Sequence, residues 1–157
     1  MITLIDDAML DALCAEAAAS PRRRKNRNFH PTDVHPGHRL LNAMQQDSYI
    51  PPHRHLDPNK DETFVVLRGS LGVITFDDDG KVLQAAKVGV GGTAIGVDIP
   101  HGAWHTAVAL ADDTVFLEAK AGPYLPPAAG EKPSWAPAEN SAGAAAYLVE
   151  MKALFDA

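Results

Sequence analysis

The chain carries a single cysteine, Cys14, in 157 residues. A lone thiol has no intramolecular partner, which excludes a disulfide framework and suits a reducing compartment, so a cytoplasmic protein is expected. Long apolar runs are missing as well. Stretches such as Ala142 to Val149 and Phe64 to Leu67 fall well short of the roughly 20 residues needed to span a bilayer. Met1-Ile2-Thr3 opens no positively charged signal-peptide region, so the chain reads as unprocessed and without a membrane partner. Basic residues are in deficit, 14 Lys and Arg against 20 Asp and Glu, a formal charge of -6. Nucleic-acid binding through counterion release needs a basic surface, and the one basic run, Arg22-Arg23-Arg24-Lys25 with Arg27, reads as a solvated loop. What the chain does have is length for one ordinary core: a compact domain of this size buries roughly 70% of the surface its unfolded form exposes.

The pattern predicts a helix at each end. Thr3 can cap the first, with Asp6 three residues on, and Ile5, Met9, Ala12 and Leu13 share a face before Ser20-Pro21 stops it. Ser141 can cap the last, whose apolar stripe is Ala144, Tyr147, Leu148, Met151, Leu154 and Phe155. Between them lie strand runs: Leu40 to Gln45, Phe64 to Phe76, Lys81 to Val88, Thr93 to Ile99, Trp104 to Leu110 and Thr114 to Ala121. Turns at Asp79-Gly80, Gly91-Gly92, Pro100-His101-Gly102 and Ala111-Asp112-Asp113 separate them. With no long helix between strands there are no helical crossovers, so the sheet is antiparallel, a sandwich or barrel. Residues 1–21 are read as an N-terminal helix and 22–125 as the barrel. Residues 126–157 are read as a Pro-rich segment and C-terminal helix packed on the same single domain.

Seven histidines stand in the chain. Two form His53-Arg54-His55, where strand alternation would put both imidazoles on one face. Glu62 opens the apolar run Thr63 to Leu67, which ends where Gly69 must turn, and a carboxylate there needs a partner or an ion. His105 follows a Pro and Gly turn, Pro100-His101-Gly102. Three neutral imidazoles and a carboxylate suit one divalent transition ion, Zn, Fe, Mn or Ni, with positions open to water or substrate.

At these residues the sequence resembles the cupin superfamily. His53, His55, Glu62 and Gly69 match its first motif, with a longer gap before Glu62 than usual. Pro100, Gly102 and His105 match the second, with Ala109 where Asn is often found. The resemblance narrows to cupin-fold metalloproteins of the WbuC type through Arg24 to His30, Lys60-Asp61-Glu62, Ile99 to Thr106, Gly122-Pro123-Tyr124, and Trp135-Ala136-Pro137 with Glu139. It covers about Arg22 to Glu139. It implies a mainly β fold, a double-stranded β-helix of the cupin or jelly-roll kind with N- and C-terminal helices. It also implies one metal ion held by His53, His55, Glu62 and His105, and a link to surface-polysaccharide functions.

Other residues are candidates for binding a small-molecule ligand. His30 lies in the resembling stretch, and Tyr49, Arg54, Trp104 and Tyr124 can line a pocket, although an aromatic is by default core. Arg68 shares strand parity with Glu62, Phe64 and Val66, and an inward Arg needs an anion, from Glu118 or from a ligand. Lys120 shares the parity of Glu118 and joins that cluster. His35, His38 and His101 are expected to be exposed, and Asp77-Asp78-Asp79-Gly80 is explained by a hairpin turn. The expected function is a small metalloenzyme, an isomerase, epimerase or dioxygenase, acting on a sugar or small polar acid. The alternative is a non-catalytic, metal-dependent ligand-binding or sensing module. A homodimer is expected, because open sheet edges need cover.

Overall fold

Alternation is plain in Glu62–Arg68 (β3), which pairs antiparallel with Thr114–Ala121 (β8). Glu62, Phe64 and Val66 of β3 are buried while Thr63 between them is exposed. The computed structural model describes residues 1–156. Its elements in order are α1 (Asp7–Ala19), β1 (Arg24–Asn28), β2 (Gly37–Met44), β3, β4 (Ser70–Phe76), β5 (Val82–Gly89), β6 (Gly96–Ile99), β7 (Trp104–Ala109), β8, a short 3-10 turn (Ala129–Glu131) and α2 (Ala144–Ala153). One antiparallel sheet has the order β1-β2-β8-β3-β6, and the other β5-β4-β7. They face each other across Met44, Phe64, Val66, Leu71, Val73 and Phe116, the wall of a jelly-roll barrel.

The two helices pack on the outer faces of the sheets, α1 reaching the edge strand β1. Leu10, Leu13, Cys14 and Ala17 of α1 pack on Leu41, Ala43 and Val115 of the large sheet. Ala144, Leu148 and Met151 of α2 pack on Ile74, Phe76, Trp104 and Val108 of the small one. Among the described residues no helix is long and apolar enough to cross a membrane.

Several local expectations change. Asp6, not Thr3, caps α1, its carboxylate accepting from the Met9 amide at 3.0 Å, and Ile5 lies outside the helix and exposed. Gly143 stands at the N-cap of α2 without a side-chain bond, while the Ser141 hydroxyl donates to Ala138 O. The run Phe64 to Phe76 is two strands in two sheets, parted at Gly69. The basic run is not all loop: Arg24–Asn28 pairs along its length with β2 as an edge strand. All five side chains are polar, so no apolar alternation announces it.

Gly69 carries the crossing between sheets. Its φ is +76°, and a Cβ there would stand 2.5 Å from Thr114 Oγ1, a buried hydroxyl that bonds Ala111 O at 2.8 Å. Gly69→Ala is therefore expected to cost at least about 1–2 kcal/mol, the left-handed penalty for a residue with a Cβ. Urea melts of the two proteins would measure it, and equal midpoints would contradict it.

Candidate metal centre

His53 follows Pro51-Pro52 and makes a single antiparallel bridge with His105. Each residue's amide donates to the other's carbonyl, at 3.0 and 2.9 Å. That exchange, and not the full strand expected over His53-Arg54-His55, brings the two motifs together. Glu62 comes from the first residue of β3 and His105 from the second of β7. One ligand atom from each of His53, His55, Glu62 and His105 lies within 4.8 Å of the others. Opposite ligands of a shared ion, each about 2.1 Å from it, stand roughly 4.2 Å apart. A few tenths of an ångström of side-chain adjustment closes the difference.

The hydrogen bonds select the tautomers. His53 Nδ1 lies 3.0 Å from Pro51 O and His105 Nδ1 2.9 Å from Ala103 O. A carbonyl only accepts, so each Nδ1 is the protonated nitrogen and each Nε2 keeps a lone pair. His105 Nε2 lies 2.7 Å from Glu62 Oε2, and His55 Nε2 3.1 Å from Glu62 Oε1. Those contacts are close but not aligned as hydrogen bonds: His55 Nε2, Glu62 Oε2 and His105 Nε2 are all buried without a partner. Lone pairs facing carboxylate oxygens repel unless positive charge lies among them. The donor set fits a divalent transition ion, and these four side chains can hold one. Burial and the neighbouring His105 push the His53 pKa down to about 3, so its imidazole is neutral, as a ligand must be.

A buried ionic chain backs the cluster. Glu62 faces Lys120 across the β3–β8 ladder, and the Lys120 ammonium donates to Glu62 Oε1 at 2.5 Å and to Glu118 Oε1 at 3.0 Å. Asn42 of β2 donates to Glu118 Oε2 at 2.8 Å. Burial opposes ionisation of Glu62, but its polar surroundings outweigh it, the Lys120 cation bonded to Oε1 among them, and hold the carboxyl well below its ordinary range. Burial likewise works against the Lys120 charge, and the two carboxylates overcome it, raising its pKa. Glu118 goes the other way, upward, because burial there exceeds what the shared lysine returns.

Two cavities meet at the cluster. An inner one of about 120 Å³ is lined by Met44, Phe64 and Phe116 with Glu62, His105 and Glu118. An outer one of about 220 Å³ is lined by His55, Lys60, Lys120 and Tyr124 beneath the Pro-rich segment. His53 borders both. A larger open groove, about 600 Å³, runs along α2, where Arg22–Glu139 (2.8 Å) and Arg23–Asp47 (2.9 Å) are already paired.

The other candidates divide. Glu118 and Lys120 point into the site, and exposed Tyr124 stands at the outer mouth. Arg68 does not. The register slips by one residue between Val66 and Arg68, turning Arg68 out of the barrel to Asp11 (2.6 Å) and Asp7 (3.1 Å) of α1. Tyr49 is packed against α2, its hydroxyl donating to Pro137 O at 2.7 Å. His30 is buried in a stack with His38, centroids 3.9 Å apart, its Nδ1 beside the Arg39 backbone, and it lines neither cavity. It is His38, expected at the surface, that is buried and borders the outer cavity. His35 is half-buried, and His101 is exposed beside Asp61. Arg54 also lines that cavity, its guanidinium over Trp104 and donating to Gly130 O. Trp104 itself packs with α2. Sequence reasoning missed Asn42 and Lys60. Asn42 interrupts the buried run Leu41 to Met44, a signal that was there to read, whereas Lys60, though part of the Lys60-Asp61-Glu62 motif, sits in a loop where no periodicity shows which way it points.

A family model described as "Domain of unknown function (DUF6016)" matches residues 5–88, just over half of the chain. No curated protein matches. Among solved structures the chain is similar to KdgF from Halomonas sp. at 18% identity, over 68% of this chain and 84% of that one, with a TM-score of 0.52. It is also similar to the conserved SPY1581 protein of unknown function from Streptococcus pyogenes, at 12% identity over 80% and 91%, with a TM-score of 0.53. Oxalate decarboxylase of Bacillus subtilis, a protein with Mn(II) centres, matches at 17% identity over 66% of this chain and 26% of its own, with a TM-score of 0.49. The likenesses to KdgF and to the SPY1581 protein, at these identities, speak for the fold alone, a barrel of the cupin or jelly-roll kind.

Proposed function

We propose for this chain, which belongs to the DUF6016 family, that it is a metal-binding cupin acting on a small polar molecule. In this reading His53, His55, Glu62 and His105 hold one divalent transition ion, and the outer cavity admits a sugar or a hydroxy or keto acid. One observation carries it: three buried polar atoms, His55 Nε2, Glu62 Oε2 and His105 Nε2, share one point and lack any partner. An ion so held supplies Lewis acidity toward a carbonyl or hydroxyl of the bound molecule, chemistry that serves isomerisation, epimerisation or, with iron, oxygen-dependent cleavage. The chain's own residues set the stage. Pro51 and Ala103 carbonyls orient two imidazoles, and Lys120 occupies one oxygen of Glu62, leaving Oε2 to face the centre. Apolar Phe64, Phe116 and Met44 restrict water on the inner side. The motifs shared with the WbuC type support placing the chain beside those proteins, and through them a link to surface-polysaccharide metabolism.

A second reading, a binding or sensing module without turnover, is favoured by one feature. Glu118 and Lys120, the nearest further titratable groups, are bonded to each other and to Glu62 or Asn42, so neither offers a free proton carrier inside. Metal analysis of protein purified without chelator should find one equivalent of a transition ion, and its absence would remove both readings. A thermal-shift screen of nucleotide sugars and small hydroxy and keto acids would then supply ligands. Conversion of a hit, lost on chelation and restored by metal, marks the enzyme, and binding without conversion marks the module.

A further inference from the structure

Lys60 is buried to 9% relative exposure, an unusual place for an ammonium. Its Nζ donates to Pro123 O at 2.7 Å, and among the described residues no carboxylate oxygen lies within 4.0 Å of it. A lysine has three donors, so up to two are left unspent on a charge held away from bulk water. The same side chain lines the outer cavity with His53 and His55 of the cluster. Other charged groups on that wall are committed. Asp57 accepts from Asn59, Glu131 accepts from the Leu56 and Ala128 amides, and Arg54 donates to Gly130 O. Lys120 is spent on two carboxylates.

Resting on the metal-binding reading above, we infer that Lys60 is an anion anchor, and that the outer cavity takes a small carboxylate whose charged end sits at Lys60 while its other end faces the histidine cluster. Charge supports this. Glu62, Glu118, Asp57 and Glu131 against Lys120, Lys60 and Arg54 sum to -1, so a divalent ion leaves the cavity with one net positive charge, which a single carboxylate group would balance. Two unspent N–H donors match the two oxygens of a carboxylate. A phosphate dianion would call for a guanidinium fork or more donors, and the one arginine lining the cavity is engaged elsewhere.

The test is calorimetric titration of metal-loaded protein with sodium lactate, sodium malonate, inorganic phosphate and glycerol, with metal content measured on every sample. At least one carboxylate should bind the wild-type protein, glycerol should not, and Lys60→Gln should weaken the carboxylate by roughly tenfold or more, the worth of a charge-assisted hydrogen bond. Glutamine can still donate to Pro123 O, so a merely structural strut would leave binding unchanged, and Lys60→Arg should retain most of it. Melting temperature and metal content should not move in either variant. Equal binding by Lys60→Gln, preference for phosphate over both carboxylates, or no carboxylate bound by a wild-type sample that carries its metal would each overturn the inference. A wild-type sample without metal would instead bring down the reading it rests on, and the two failures are told apart by the metal assay.

Discussion

Lys120→Met should destabilise the metal-free protein by about 3–5 kcal/mol, the usual cost of removing one partner from a buried ionic group. In a domain of this length that is a fall in melting temperature on the order of 10 °C. The reason is geometric. Lys120 bridges Glu62 and Glu118, and without it two carboxylates face each other inside the barrel with only Asn42 to satisfy Glu118. The double variant Lys120→Met/Glu118→Gln should recover much of the loss, since one of the two stranded charges is gone and the amide can still bond Asn42. Thermal melts of the four proteins in chelator would read it as a double-mutant cycle. A single-variant loss below about 1 kcal/mol would mean that water reaches the pair and compensates it.

His105→Ala should cost metal affinity more than the roughly 10–100-fold that follows loss of an outer hydrogen bond to a ligand. His105 is 2% exposed, its Nε2 aims at Glu62 Oε2, and its backbone also holds His53 in place. Competition with a chelator of known affinity measures the change. His101→Ala is the control: that histidine is exposed and paired with Asp61, so its removal should leave occupancy intact. Retained stoichiometric metal in His105→Ala would show that the ion is held elsewhere.

Much of the barrel was legible because its strands are short apolar runs, alternating in β3 and nearly continuous in β4 and β7. β3, β4, β7 and β8 carry apolar side chains at the spacing that a half-buried or buried strand demands, with turns of Gly, Pro and Asp between them. β1 was not legible, since an edge strand with polar side chains on both faces has no period to read. The site behaved likewise. Four potential ligands stood in short motifs, but their convergence depends on a backbone bridge between residues 52 positions apart.

The residue types and spacings by themselves determined an antiparallel β domain with terminal helices and named His53, His55, Glu62 and His105, because periodicity and ligand chemistry are local properties. Only the packed chain decided which way Arg68 faces, since a one-residue slip against β8 reverses a side chain and parity cannot foresee a bulge. It also decided that Lys60 is buried with no carboxylate in contact, because that depends on the Pro-rich segment folding back over a loop more than 60 residues earlier in the chain.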